Sequence, residues 1–203
     1  MHVFGLTGGI ASGKSMVLGV FRAGGVATVD ADEMARRVVE PGSEGLAAIV
    51  SAFGDAVLLE GGALDRKKLA SLVFGDEQRR RTLNGIVHPR VALATQARFT
   101  ELAAEGATLG CYDAALLVET GLAAMFRPLV VVAAPRAMQH ARLVARDGLT
   151  AAEADARLDA QAPLEAKLAA ADVVIWNDAD VTTIETRARE ALARVQELIA
   201  KPA

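Results

Sequence analysis

A chain of 203 residues, 52% hydrophobic and 23% charged, is long enough to bury the core of a globular domain. Its formal net charge of −3 argues against a general nucleic-acid-binding protein, which would be strongly basic. The single cysteine, Cys111, allows neither an internal disulfide nor a zinc site, and no segment resembles a signal peptide or a membrane span. We therefore expect a cytoplasmic protein that partners neither nucleic acid nor membrane.

The chain begins with a predicted strand–loop–helix–strand unit. Val3–Leu6 is a short apolar run, and the helix after the glycine-rich loop ends at Gly24-Gly25. Val26–Val29 predicts a second strand that closes on Asp30. Elements in this order are the building block of a parallel sheet.

The segment from residue 33 to about 102 is mainly helical, with turns that contain glycine between the helices. The predicted helices are Glu33–Val39, Glu44–Phe53, Arg66–Phe74, Glu77–Val87 and Pro89–Ala104.

The remaining sequence returns to alternating strands and helices. Further strands are predicted at Leu109–Tyr112, Leu129–Ala133 and Val173–Trp176. Two helices precede the last of these: Ala137–Arg146, and one that a capping box opens at Thr150 and that ends near Gln161. Asp180 is expected to cap a terminal helix with an apolar stripe.

Five short strands alternating with helices predict a three-layer α/β fold around a five-stranded parallel sheet. The core is expected to comprise residues 1–32, 106–135 and 171–203. A helical region at 33–105 and a smaller helical lid at 136–170 interrupt it.

A glycine-rich loop between the first strand and helix carries the main chemical signal. The pattern G-x-x-x-x-G-K-[ST] is matched by Gly8-Gly9-Ile10-Ala11-Ser12-Gly13-Lys14-Ser15. Such a loop turns its N–H groups onto phosphate oxygens at a helix N-terminus, while the lysine reaches the β and γ phosphates and the hydroxyl can bind Mg²⁺. By chance alone the pattern would arise in on the order of one such chain in a few hundred, so a plain glycine turn is much the weaker interpretation.

The surrounding sequence narrows the class of P-loop protein. A GTPase would need N-K-x-D and D-x-x-G motifs, and neither string occurs. A small core with two helical insertions favours a small-molecule kinase whose insertions hold the acceptor and close over the phosphates. Another small-molecule or nucleoside kinase, or a non-catalytic nucleotide-binding regulator, stays as an alternative.

Six separate stretches carry a further signal: GLTGGIASGKS at 5–15, VDADEMARRVVEPG at 29–42, ALDRKKLASLVFGDEQRRRTLNGIVHPRV at 63–91, YDAALLVETG at 112–121, QHARLVARDGLTAAEADARLDAQ at 139–161 and ADVVIWN at 171–177. In this order, and covering nearly the whole chain, they resemble the dephospho-coenzyme A kinase family. The resemblance implies a P-loop, nucleoside-monophosphate-kinase-like fold with ATP and Mg²⁺. The implied reaction is phosphorylation of the ribose 3′-hydroxyl of dephospho-coenzyme A, the last step of coenzyme A synthesis. The chain departs from the family pattern at Met16, Ala115, Val118 and Asp178-Ala179.

Asp32 follows the second strand, where a carboxylate could orient an attacking hydroxyl. The sequence alone also allows it to be a helix N-cap, and Asp30 is an equal candidate for that cap. The resemblance gives Asp32 the catalytic role and leaves Asp30 structural.

Arg142 and Arg146 lie four residues apart on one predicted helix face. As solvated side chains they would need no explanation, but the resemblance places them on the ATP phosphates, with Arg142 also catalytic. Arg157 and Gln161 repeat this spacing and could hold ATP or pin the lid.

The other expected site residues divide by ligand. Asp113, at the end of an apolar strand, is assigned with Ser15 to the metal, an interpretation favoured over that of a plain turn residue. The nucleotide site is expected to include Met16 and Asn177, with Asn177 either reading the adenine edge or forming a strand-end turn. The acceptor site is expected to include Thr7, Leu116, His88 and Glu119; His88 could instead be an N-cap, and Glu119 a structural carboxylate.

Overall fold

The computed structural model describes residues 1–200. By contact density the chain divides into two compact units. The core unit comprises Met1–Thr28 and Leu102–Ala203, and the helical unit comprises Val29–Glu101. Among the described residues, no helix combines the length and the apolar content needed to cross a bilayer.

Five strands form one parallel sheet, as the sequence predicted. They are β1 His2–Gly8, β2 Ala27–Asp30, β3 Leu109–Asp113, β4 Leu129–Ala133 and β5 Val173–Trp176. Their order in the sheet is β2-β3-β1-β4-β5. β1 is central, with Gly5 beside Tyr112 of β3 and Leu129 of β4. From β1 the chain continues to β2 and β3 on one side of the sheet and then to β4 and β5 on the other. At such a reversal of strand order, an α/β sheet forms a ligand-binding crevice at the carboxyl end of the strands.

Nine helices complete the described fold. They are α1 Lys14–Ala23, α2 Ala31–Arg37, α3 Glu44–Phe53, α4 Arg66–Val73, α5 Glu77–Ala104, α6 Arg136–Asp147, α7 Ala151–Asp159, α8 Leu164–Ala170 and α9 Val181–Ala200. Two short 3₁₀ turns, at Asp55–Val57 and Leu122–Met125, were not predicted.

The core unit is built on the apolar strands. Every residue of β4 is buried, which is why Leu129–Ala133 is an unbroken apolar run. Phe4 of β1 meets Phe21 of α1 edge to face, with ring centroids 5.6 Å apart. Ile184 and Val195 of α9 are fully buried in the same cluster, so α1 and α9 anchor the strand that leads into the glycine-rich loop.

Side-chain caps set several helix starts. The capping box at Thr150 and the cap at Asp180 are confirmed. Asp30 is the N-cap of α2, where its carboxylate accepts hydrogen bonds from the backbone N–H groups of Asp32 and Glu33. The cap role considered for Asp32 is therefore wrong, because Asp32 already lies in the first helical turn.

The two helices predicted at Glu77–Val87 and Pro89–Ala104 are in fact one, α5. Pro89 removes the hydrogen bond to the carbonyl of Gly85, but both residues are exposed, so water can satisfy that carbonyl. One residue further along the helix, the Arg90 guanidinium donates to the Ile86 carbonyl at 2.8 Å. The N-cap interpretation of His88 is consequently wrong, since His88 lies within the helix.

The helical unit has a small apolar centre of its own. Val39, Ile49, Val57 and Leu69 are buried together. Asp32 is exposed in the first turn of α2, and His88 is exposed on α5. Both side chains are therefore open to solvent within this unit.

Candidate active site

The loop after β1 has the backbone geometry of a phosphate cradle. It folds back on itself where the Ser12 N–H donates to the Gly9 carbonyl at 3.0 Å. Ala11 and Gly13 have left-handed φ values of 57° and 91°. Gly13 also contacts the Asn177 amide so closely that a Cβ would overlap it. Two reasons therefore favour glycine at position 13: the left-handed backbone conformation and the lack of room for a side chain.

α1 begins directly after this loop, with Gly13 as its N-cap and no side-chain cap. No acidic residue occupies its first turn. The positive end of the helix is therefore open to an anionic ligand. Ser15, in this turn, is exposed.

The loop lysine is held at the sheet edge by a carboxylate. Lys14 Nζ donates to Asp113 Oδ1 at the end of β3. The Asp113 side chain is only 6% exposed and that of Lys14 21%. The pair fixes an ammonium group beside the cradle at the carboxyl end of β1 and β3.

Ser15 and Asp113 suit a hard divalent cation, because both offer oxygen ligands and Mg²⁺ prefers oxygen. Within residues 1–200 no group of three or more His, Cys, Asp or Glu side chains could hold a metal.

Arg142 of α6 reaches the loop, and Arg146 does not. Arg142 Nη1 donates to the Ala11 carbonyl at 3.2 Å, and its Nη2 donates to Asn177 Oδ1 at 3.1 Å. Arg146 instead forms two hydrogen bonds with Asp147, at 2.7 and 3.0 Å, which hold the pKa of that carboxyl below its usual value. The structure therefore brings only the first arginine of the predicted pair to the phosphate loop.

Two glutamines bracket the loop at Ile10. Gln139 Nε2 donates to the Ile10 carbonyl at 2.9 Å, and the Ile10 N–H donates to Gln161 Oε1 at 2.7 Å. Gln161, which follows α7, is thus tied to the loop, a contact compatible with the predicted alternative in which it pins the lid. Gln139 was missed, although it precedes Arg142 by one turn and so shares its helix face.

The comparisons with known proteins agree with this geometry. A family model described as CoaE, dephospho-CoA kinase, matches residues 2–183. A dephospho-CoA kinase of Anaeromyxobacter dehalogenans is 50% identical over 193 residues, which cover 95% of this chain and 92% of the relative. A dephospho-CoA kinase of Syntrophotalea carbinolica is 46% identical over 195 residues, covering 96% and 92%. The chain belongs to the dephospho-CoA kinase family.

The fold comparison extends over the whole molecule. A crystal structure from Thermus thermophilus is 30% identical and superposes with a TM-score of 0.79, covering 100% of both chains. The family predicted from the ordered sequence stretches is therefore confirmed, and so is the α/β class.

Thr7 and Glu119, two residues expected in the acceptor site of this dephospho-CoA kinase family member, make hydrogen bonds within the protein. The fully buried Thr7 donates its hydroxyl to the Ala115 carbonyl at 3.1 Å. Glu119 accepts hydrogen bonds from Lys167 Nζ and, at 3.1 Å, from the Ala162 N–H. These contacts support the structural alternative for Glu119. Leu116, in contrast, is 46% exposed.

The Lys167–Glu119 pair joins α8 to the segment after β3. Burial alone would raise the pKa of Glu119, but the hydrogen bond from Lys167 and those from backbone N–H groups lower it below the usual value. Lys167 is only 2% exposed, so its ammonium depends on this partner. Because the pKa of the Glu119 carboxyl is lowered, the pair stabilises the protein at pH values above the ordinary carboxyl pKa. This contribution is lost as the pH falls through the lowered pKa.

Removing Glu119 should destabilise the protein through its stranded partner. We expect Glu119→Ala to lower the free energy of unfolding by about 3 kcal/mol, because it leaves a buried ammonium unpaired. Glu119→Ala made in a Lys167→Met background should lower the free energy of unfolding much less, because no unpaired ammonium group remains. As a control, Glu185→Ala breaks an exposed pair with Arg189 and should cost less than about 0.5 kcal/mol. Urea unfolding tests all three; equal costs for Glu119→Ala in both backgrounds would contradict the prediction.

Proposed function

We propose that this protein transfers the terminal phosphoryl group of ATP to the ribose 3′-hydroxyl of dephospho-coenzyme A. The products are coenzyme A and ADP, the last step of coenzyme A synthesis. The observation that carries the proposal is the glycine-rich loop, which presents Lys14 and the uncapped start of α1 at the carboxyl end of β1. Membership of the dephospho-CoA kinase family supplies the acceptor.

On this proposal the loop holds the phosphates of ATP. The loop's backbone N–H groups other than those of Ile10 and Ser12, which already donate within the protein, bind the phosphate oxygens together with those at the start of α1. Lys14 neutralises charge on the β and γ phosphates. Ser15 and Asp113 would hold Mg²⁺, and the ion would add positive charge at the phosphates.

The acceptor and the lid complete the proposed reaction. Asp32 orients the 3′-hydroxyl for in-line attack and accepts its proton. Asp30 already caps α2, so the Asp32 carboxylate is not needed there. Arg142, held at the loop by the Ala11 carbonyl, stabilises the charge that spreads over the transferring phosphoryl oxygens. The glutamine contacts at Ile10 hold the lid against the loop, which would exclude water.

We place this reaction in the cytoplasm. Cys111 is fully buried in β3, and its burial raises the pKa of the thiol far above its ordinary value, with the nearby Asp113 carboxylate adding to the rise. A thiol of this kind is a packing group and not a redox site, as befits a reducing compartment.

An acceptor panel tests the proposed function. The protein is incubated with Mg-ATP and dephospho-coenzyme A, adenosine, a nucleoside monophosphate or no acceptor, and ADP is followed. We expect ADP release with dephospho-coenzyme A at more than about 10² times the background without acceptor, since a positioned hydroxyl should far outcompete water. Preferred turnover of a nucleoside would favour a different small-molecule kinase, and nucleotide binding without turnover would favour a regulator.

A further inference from the structure

Asn177 occupies a buried position between two strand ends. It follows β5 directly, and its backbone N–H donates to the Ala133 carbonyl at the end of β4, at 2.7 Å. The residue is only 2% exposed. Its backbone is therefore fixed by the sheet.

The Asn177 amide joins the phosphate loop to the lid. Its Nδ2 donates to the Ser12 carbonyl at 2.7 Å, and its Oδ1 accepts from Arg142 Nη2 at 3.1 Å. The amide can have only this orientation, because a carbonyl cannot donate and a guanidinium cannot accept. A side chain at this position must therefore both donate and accept, as an amide does and a carboxylate does not.

The contact with Ser12 controls the direction of a neighbouring N–H group. In a trans peptide the carbonyl and the N–H point in opposite directions. Holding the Ser12 carbonyl toward Asn177 therefore turns the Gly13 N–H away from it. The close approach of Gly13 to the amide, which leaves no room for a Cβ, keeps this peptide from rotating.

We propose that Asn177 is a positioning residue that fixes the Ser12–Gly13 peptide of the phosphate loop and the Arg142 guanidinium in one arrangement. Each polar atom of its amide bonds within the protein and the residue is only 2% exposed, which favours a role that does not depend on the base over the adenine-reading role suggested from the sequence. The inference rests on the proposed phosphoryl transfer only for its effect on turnover. The effect on phosphate binding follows from the loop geometry alone.

The proposal predicts the same loss for a ligand with and without a base. Asn177→Asp keeps the acceptor for Arg142 but removes the donor to Ser12, and Asn177→Ala removes both. By calorimetry, both variants should bind Mg-ATP and magnesium tripolyphosphate at least about tenfold more weakly, by the same factor for the two ligands, as expected for the loss of the buried donor to Ser12 that both variants lack. Gln196→Ala, an exposed amide on α9, is the matched control and should change neither.

Turnover tests the contact between the Asn177 amide oxygen and Arg142. kcat should fall at least about tenfold in Asn177→Ala, and the effects of Asn177→Ala and Arg142→Ala should not add, because the two residues act as one unit. Weakened binding of ATP with unchanged tripolyphosphate binding would overturn the proposal in favour of base reading. A lower melting temperature with unchanged binding would overturn it in favour of a structural role alone. A wild-type protein without turnover would count against the proposed function, and the tripolyphosphate measurement would still decide the role of Asn177.

Discussion

Replacing Lys14 with methionine is expected to lower kcat by about 10²–10³-fold, the cost of losing one preorganised charge contact to the transition state. The KM for ATP should rise as well, because the same ammonium binds the β and γ phosphates of the bound nucleotide. Methionine keeps most of the side-chain volume, so packing is largely preserved. Steady-state kinetics with varied ATP measure both effects.

Lys14→Met could lower activity directly, or it could destabilise the protein by leaving the Asp113 carboxylate without the Lys14 ammonium, and the control has to separate these two effects. Lys14→Met with Asp113→Asn removes that buried charge and should restore the melting temperature while activity stays low. Arg194→Met, which removes an exposed cation from α9, should leave activity unchanged. Activity within a few fold of wild type in a folded Lys14→Met protein would contradict the role given to this lysine.

Asp32→Asn is expected to reduce kcat by about 10²–10⁴-fold, the range that a positioned general base contributes. Binding of Mg-ATP should stay within about twofold of wild type, since the proposed role concerns the acceptor hydroxyl and not the phosphates. The amide has the shape of the carboxylate, and the cap of α2 comes from Asp30, so folding should be unaffected. Single-turnover kinetics and calorimetry test the two parts separately.

Glu33→Gln is the matched control for Asp32→Asn. Glu33 is the next residue, is exposed and lies in the same first turn of α2. Both substitutions remove one negative charge at the same helix end, so they change the interaction with the helix dipole similarly. Equal rates for the two variants would show that Asp32 has no special role.

The core of the fold could be predicted because its signals are local. β4 and β5 were predicted to the residue, since each is a short apolar run with a clear boundary. The phosphate loop was identified because glycine, lysine and serine at fixed spacing have a direct chemical meaning, and the capping box at Thr150 could be predicted for the same reason.

Two helices were mispredicted for opposite reasons. Pro89 suggested a helix start, but the hydrogen bond that it removes lies on the solvent side of α5. Losing that bond there costs less free energy than the packing of one continuous helix contributes. α8 was not predicted at all. Its buried residue is Lys167, paired with Glu119, so a polar residue occupies the position where an apolar one would reveal the inner face of a helix.

The contacts that assemble the site could not be derived from spacing. Asn177 and Ser12 are far apart in sequence and meet only because β5 and β1 end at the same edge of the sheet. The bracket of Gln139 and Gln161 around Ile10 likewise depends on where α6 and α7 pack. Such contacts require the fold to be known first.

The most direct test follows the γ-phosphoryl group itself. The protein is incubated with dephospho-coenzyme A and Mg-ATP that carries an isotope label in the γ-phosphoryl oxygens, and the products are identified by mass spectrometry and phosphorus NMR. We predict one labelled phosphomonoester on the ribose 3′ position for each ADP formed. Label recovered only as inorganic phosphate, or attached anywhere other than the 3′ position, would contradict the proposed transfer.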